Sequence, residues 1–203
     1  ATHNKDKCLE MMDVLSNFNI ELLTLHEFSH IGEIVEDGAT LEDNALIKAR
    51  IVHKLTKLPS LADDTGLEVE ALGGAPGVFS ARYSGENASY SDNVNKLLKD
   101  MENVPNGKRM AKFRTVMAFV DDEMELIAED FVEGIITDVT KGVDGFGYDP
   151  VFYVPEMNKT YAEMSIKEKN QISHRGKALM KMQKLLQERL PKIFHQMEDL
   201  PKT

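Results

Sequence analysis

Cysteine, long apolar runs and positive charge are all scarce in this chain. Its 203 residues contain a single cysteine, Cys8, which excludes an internal disulfide and makes a reducing cytoplasm the expected setting. No apolar run is long enough to cross a bilayer, and the start has no signal-peptide pattern. Internal repeats, low-complexity tracts and linker-like stretches are absent as well. The length therefore suits one domain over residues 1–203, built as two lobes sharing a core. With 24 Lys and Arg against 34 Asp and Glu, the net charge is −10, which argues against nucleic acid or a membrane surface as a partner. A small anionic ligand stays compatible, because a few local cations and a metal can hold one. Ala1-Thr-His-Asn4 runs straight into a helix with no Met and no strand ahead of it, so a few further residues are expected before Ala1 in the natural protein.

Apolar periodicity predicts helices over residues 5–16 (Cys8, Met11, Met12 and Leu15 inward), 43–56 (Ala45, Leu46, Ala49, Val52 and Leu55 inward) and 90–102. Strands are expected at 20–25, 58–62, 67–72 and 151–154, with a long antiparallel pair over 111–121 and 124–139. Ser165-Ile-Lys-Glu168 is a capping box opening one helix, and Ser173 caps a second that runs to Leu190 and stops at Pro191. Helices alternating with strands, followed by long strands and then helices, indicate an α/β fold around a mixed sheet.

Against this background the stretch Leu61-Ala-Asp-Asp-Thr-Gly-Leu67 stands out. Asp63 and Asp64 are expected at the end of a strand, where an acidic pair suits a metal-dependent phosphate site. Taken alone, the same residues read better as the opening of a turn with Thr65-Gly66 as its far half, and it is the rest of the chain that reverses this. Glu36 and Lys48, around the acidic start of the second helix, read either as a metal carboxylate and a phosphate contact or as a dipole-favoured helix start with a solvated lysine. Gly142-Val-Asp-Gly-Phe-Gly-Tyr-Asp-Pro150 permits tight turns and an exposed ring on which a base could stack, or is a turn whose aromatics cover the sheet. Ser173-His-Arg175 opens a helix suited to anions or carbonyl oxygens, or is simply a cap. His26-Glu-Phe-Ser-His30 matches the H-E-x-x-H zinc pattern. It follows a strand-like run, is interrupted by Gly32 and lacks a third ligand, so surface or half-buried histidines are expected there.

Together these segments resemble the inosine triphosphate pyrophosphatase family, house-cleaning enzymes for non-standard purine nucleoside triphosphates. The resemblance rests on Thr2-x-Asn4-x-x-Lys7-x-x-Glu10, on Glu36-x-Gly38 with Glu42-x-Asn44-Ala45-x-x-Lys48-Ala49, on Ala62-Asp-Asp-Thr-Gly-Leu67 with Pro76-Gly-Val-x-Ser-Ala-Arg-Tyr83, on Gly145-Phe-Gly-Tyr-Asp-Pro150-x-Phe152, and on Ser173-His-Arg175, in that order along nearly the whole chain. It departs modestly: Thr65 stands where many relatives have Ser, and Tyr148 where some have Trp.

The resemblance implies an elongated two-lobed α/β fold around a long mixed sheet with flanking helices, the nucleotide in a cleft between the lobes, Mg²⁺ as cofactor and a homodimer. It implies cleavage of inosine, deoxyinosine and xanthosine triphosphates to the monophosphate and pyrophosphate. Glu36 and Asp64 would hold the metal, and Asp64 would also orient or deprotonate the attacking water. Lys7 and Lys48 would hold the phosphates, with Thr2, Asn4 and the backbone around Thr65 and Gly66 as further donors. Phe146 and Tyr148 would flank the base, Asp149 would act at its N1 edge, and His174 and Arg175, assisted by Lys169, would donate to its 6-keto oxygen. Three rivals remain: a related septum-inhibitor-like family acting on modified pyrimidine triphosphates, a nucleotide-binding module without turnover, and a generic Mg²⁺ phosphohydrolase acting on many nucleotides.

Overall fold

The computed structural model describes residues 1–15 and 21–189. These form helices α1 (Lys5–Leu15), α2 (Leu41–Thr56), α3 (Tyr90–Asp100), α4 (Ile166–Ile172) and α5 (His174–Arg189). The strands are β1 (Ser60–Val69), β2 (Pro76–Gly77), β3 (Met110–Val120), β4 (Glu125–Ile136), β5 (Phe152–Val154) and β6 (Lys159–Thr160). Local chemistry sets most helix starts. Thr40, Ser89 and Ser165 each accept from the backbone N–H three residues on, and each is answered by the acid at that position, Asp43, Asp92 or Glu168. Ser173 Oγ accepts from Gly176 N–H (3.0 Å) and caps α5. α5 is described to Arg189, so the expected stop at Leu190 and Pro191 lies outside the described residues.

The six strands form one sheet in the order β2-β1-β3-β4-β5-β6. The fold is α/β with helices flanking a long sheet, as expected, but among the described residues every ladder is antiparallel rather than mixed. A parallel neighbour needs a crossover between strands. Here α1 and α2 precede β1, and α4 and α5 follow β6. α3 alone of the five helices falls between strands, and it delivers the chain to β3 antiparallel to β1.

Other expectations are corrected. The strand expected at 20–25 is not formed over its described part: Glu21–Thr24 is irregular and Leu25–Glu27 is a 3₁₀ turn. Met12 and Leu55 face solvent, at 45% and 52% exposure, because α1 and α2 each bury a narrower stripe than the apolar pattern suggests. Most important, β1 does not break at the acidic pair. It pairs without interruption from Ser60↔Val120 to Val69↔Ala111, so Asp63 and Asp64 sit mid-strand. Val69 ends the strand, and Glu70–Leu72 is a 3₁₀ turn.

Strand alternation then sends the two acids to opposite faces. On one face Leu67, Val69, Phe113, Val132 and Ile136 join α3 and the segment after β4 in one core, while Met117, Phe119 and Ala128 join α1 and α5 in another. The opposite face packs Ala62, Val116, Ala118 and Val120 against Leu41, Ala45 and Ala49 of α2. Between these apolar blocks lies a polar waist at Asp63, Asp64, Thr65 and Thr115. Cys8, expected in the core, is partly buried and lines an apolar cavity of about 490 Å³ with Met11, Phe119 and Met182. Among the described residues no helix is long and apolar enough to cross a membrane.

Candidate active site

On the α1 and α5 face, Asp63 is fully buried. It is held by Lys7 Nζ (3.1 Å), Arg175 Nε (3.1 Å) and Thr65 Oγ1 (3.3 Å). Burial opposes its charge, but Lys7, Arg175 and Lys48 outweigh burial and hold the carboxyl well below the usual range. Arg175 also donates to Thr65 Oγ1 (3.2 Å) and to Glu10. Glu10 pairs with Lys169 Nζ (2.6 Å), which pairs with Asp149 Oδ2 (2.5 Å). The result is one buried row of alternating charge, Lys7–Asp63–Arg175–Glu10–Lys169–Asp149, joining α1, β1, α4, α5 and the loop before β5. Glu10 is depressed in the same way: burial is overcome by Arg175 and Lys169. Asp149 goes the other way, because in its case burial outweighs Lys169 and raises it. No role was foreseen for Glu10, although a glutamate flanked by Leu9 and Met11 on an amphipathic helix has to be either solvated or paired.

On the α2 face, Lys48 Nζ donates to Asp64 Oδ1 (3.0 Å) and Glu36 Oε2 (2.9 Å), and Asn44 Nδ2 donates to Asp64 Oδ2 (3.3 Å). Gly38 N–H holds the Asn44 carbonyl oxygen (2.8 Å), which fixes the segment carrying Glu36 against α2. Burial works against the Lys48 ammonium, but Asp64, Asp63 and Glu36 raise it, so it stays charged. Two hard carboxylates thus converge on one cation position. Among the described residues no group of three or more His, Cys, Asp and Glu side chains is placed to cage a metal. Two carboxylates are the kind of donors that Mg²⁺ uses, since it takes one or two carboxylates and keeps several waters. His26 and His30 are exposed, as read from the sequence.

Thr2 and Asn4 lie at the start of α1. Thr2 Oγ1 accepts from Asn4 N–H (3.1 Å), and Asn4 Oδ1 accepts from the backbone of Asp6 (2.9 Å) and Lys7 (3.2 Å). Thr65 and Gly66 lie within β1. A Cβ on Gly66 would come 2.7 Å from Gly77 O, so the close approach of β2 requires glycine there.

The glycine-rich loop behaves differently from expectation at one ring. Phe146 is half-buried, with Lys169 Nζ 4.8 Å and Arg175 Cζ 5.5 Å from its centroid and its N–H held by Asp149 Oδ2 (2.8 Å). Tyr148, expected as the second face for a base, is instead 4% exposed, packs in the core and donates to Ser80 O (2.9 Å). One aromatic of the pair covers the sheet and the other borders the cleft. His174 is buried and stacked on Phe113 (4.5 Å between centroids, 5° between planes). Burial, then Arg175 and Lys169, push it well below its ordinary range, so it is neutral. Among the described residues its Nδ1 has no partner, the kind of orphaned buried group that a ligand can satisfy.

Comparison with known proteins shows the family of the chain. The family model described as Ham1 family matches residues 1–185. A dITP/XTP pyrophosphatase of Caldanaerobacter subterraneus subsp. tengcongensis is 49% identical over 191 residues, covering 94% of this chain and 96% of that one. One from Thermoanaerobacter sp. (strain X514) is 48% identical, covering 94% and 96%. The solved structure of a HAM1 protein from Coxiella burnetii superposes with a TM-score of 0.83 at 43% identity, covering 93% and 96%.

Proposed function

The chain belongs to the Ham1 family, and from that premise we propose that it hydrolyses non-standard purine nucleoside triphosphates, those of inosine, deoxyinosine and xanthosine, to the monophosphate and pyrophosphate. The observation that carries this reading is the convergence of Glu36 and Asp64 on Lys48, on the strand whose other face anchors a second cation row. A triphosphate needs its charge offset before a nucleophile can approach, and in-line transfer is catalysed mainly by positioning and electrostatics.

Mg²⁺, held by Glu36 and Asp64, would neutralise the phosphate oxygens and make a water more acidic. Asp64 orients a water and accepts its proton as the water oxygen attacks the α-phosphorus, while the bond from the α-phosphorus to the bridging oxygen breaks and pyrophosphate leaves with that oxygen. Lys48 and Lys7 exchange their carboxylate partners for phosphate oxygens, and the amides and hydroxyls of Thr2, Asn4 and Thr65-Gly66 add donors. Phe146 stacks on the base. Neutral His174, with Lys169 and Arg175 beside it, faces its keto edge, where adenine would present an amino group in place of the acceptor and leave the buried His174 without a partner. We place the protein in the cytoplasm as a homodimer. Met110 and Phe131, exposed on the part of the sheet that α2 leaves uncovered, offer apolar surface for the second copy.

The test is pyrophosphate release with Mg²⁺ from inosine, xanthosine, adenosine and guanosine triphosphates, side by side. Strong release from the first two alone is expected. Equal release from all four would discard the base assignment, and no release would discard the reaction.

A further inference from the structure

Tyr90 is a large aromatic in a place where the core does not call for one. It is the first residue of α3, directly after the cap Ser89, and is 45% exposed. Its position is nonetheless well fixed. Three residues on, the buried Asn93 accepts from Ser84 N–H (2.7 Å) and donates to Ala81 O (3.0 Å), tying the start of α3 to the preceding loop.

From there the phenol reaches both ends of the candidate site. Its oxygen accepts from Asn4 Nδ2 (2.8 Å) and donates to Asp6 Oδ2 (3.3 Å), at the start of α1. Its ring lies 5.8 Å from that of Phe146 at 42°. Phe146 thus has the Tyr90 ring as a neighbour in addition to the cations of Lys169 and Arg175. The glycines on either side of Phe146, Gly145 and Gly147, have positive φ (73° and 61°), conformations that ordinary side chains seldom adopt. One side chain thus bridges the phosphate-end residue Asn4 and the base-end residue Phe146, and the space between those ends is where a nucleoside's sugar belongs.

Resting on the reading proposed above, we infer that Tyr90 is a positioning residue that latches the cleft over the nucleoside. The ring braces Phe146 against the base, and the hydroxyl ties that brace to the start of α1. Tyr90 meets Phe146, Asn4 and Asp6 and neither of the carboxylates assigned to the reaction, Glu36 and Asp64, so its contribution is the same in the bound substrate and in the transition state. Such a contribution moves KM and leaves kcat alone.

The experiment compares the unmodified chain with Tyr90→Ala and Tyr90→Phe, using inosine triphosphate for kinetics, inosine monophosphate for direct titration, and thermal melting. Tyr90→Ala is expected to raise KM and the monophosphate Kd together by about tenfold, with kcat within about twofold. Tyr90→Phe, which keeps the ring and loses the bonds to Asn4 and Asp6, is expected to recover part of that loss, to about threefold. Melting temperature should not move with either change. Unaltered KM and Kd in Tyr90→Ala overturn the latch, and so does a fall in kcat and melting temperature that accounts for the whole effect. An unmodified chain that neither turns over nor binds these nucleotides overturns the functional reading and the latch with it, so the two failures are told apart by which protein shows them.

Discussion

Replacing Asp63 and Asp64 one at a time by asparagine separates the two faces of β1. Asp63 is fully buried and sits between Lys7 and Arg175, each at 3.1 Å. Neutralising it leaves both cations short of charge where water cannot help, and breaking a buried pair from one side costs about 3–5 kcal/mol. Asparagine keeps an oxygen that can still accept from Arg175, so the lower figure, about 3 kcal/mol, is expected. In a chain of this size each kcal/mol moves the melting temperature by about 2–4 °C, which gives a fall of about 6–12 °C. Asp64 differs. Its partner Lys48 keeps Glu36 at 2.9 Å, and Asn44 remains beside it. Lys48 and Asp64 are themselves buried, but because the ammonium keeps one carboxylate, the stability cost of Asp64→Asn stays below that of Asp63→Asn, at about 1–2 kcal/mol rather than the about 3–5 kcal/mol of a fully broken buried pair. Its turnover should instead fall about 10²–10⁴-fold, the range for losing a general base. Asp63→Asn, assayed below its melting point, should raise KM while keeping kcat within about tenfold. Thermal denaturation and steady-state kinetics on the two variants decide the matter. Equal melting temperatures, or an Asp64→Asn enzyme with full turnover and a much lower melting temperature, would refute the division of labour between the faces.

Three further outcomes are expected. Asp63 and Glu10 are depressed in the folded state, so the stability they add is present above their unfolded pKa values, about 3.9 and 4.3, and is lost as pH falls through the folded ones. Melting temperature should fall as the medium is acidified below about pH 4, and the fall should be shallower in Asp63→Asn, which has one fewer depressed carboxyl to protonate. Gly145→Ala puts a Cβ 2.2 Å from Asp149 Oδ2 at a φ of 73°, so it should cost about 1–3 kcal/mol in thermal melting and raise KM. Removing Mg²⁺ with a chelator should abolish pyrophosphate release and lower the melting temperature only slightly, because Lys48 already offsets one of the two charges of Glu36 and Asp64.

Much of the site could be read from the sequence because its members carry charge or glycine in short runs, such as Asp63-Asp64, Gly145-Phe-Gly147 and Ser173-His-Arg175. The long strands and the capped helices were legible for a similar reason, since period and cap are local signals. What was not legible depends on partners distant in sequence. Two adjacent aspartates suggest a strand end, yet β3 pairs straight through them, because Arg175, 112 residues away from Asp63, and Lys48, 16 away from Asp64, neutralise them from opposite sides. Tyr148 shares its motif with Phe146 but turns into the core, since only the sheet beneath decides which ring is covered. β2 and β6 are two residues each, too short to carry a period. The apolar run at 21–25 has strand composition, but composition supplies no neighbouring strand.

The same geometry explains why adjacent carboxylates can hold different assignments. Side chains on a strand alternate, so the register of β1 against β3 decides which aspartate meets the buried cation row and which meets Lys48 and Glu36. A slip by one residue would exchange them and leave each beside the wrong partners. The register is fixed at the waist itself. Thr65 and Thr115 are cross-strand partners whose hydroxyls lie 2.7 Å apart, and Thr65 also touches Asp63 and Arg175. At the next position the bare Gly66 lets β2 close against the strand. The buried row Lys7–Asp63–Arg175–Glu10–Lys169–Asp149 ties helices and loop to that register. Asp64 then does not carry the fold, and Lys48 is free to leave it for the phosphate oxygens of a ligand.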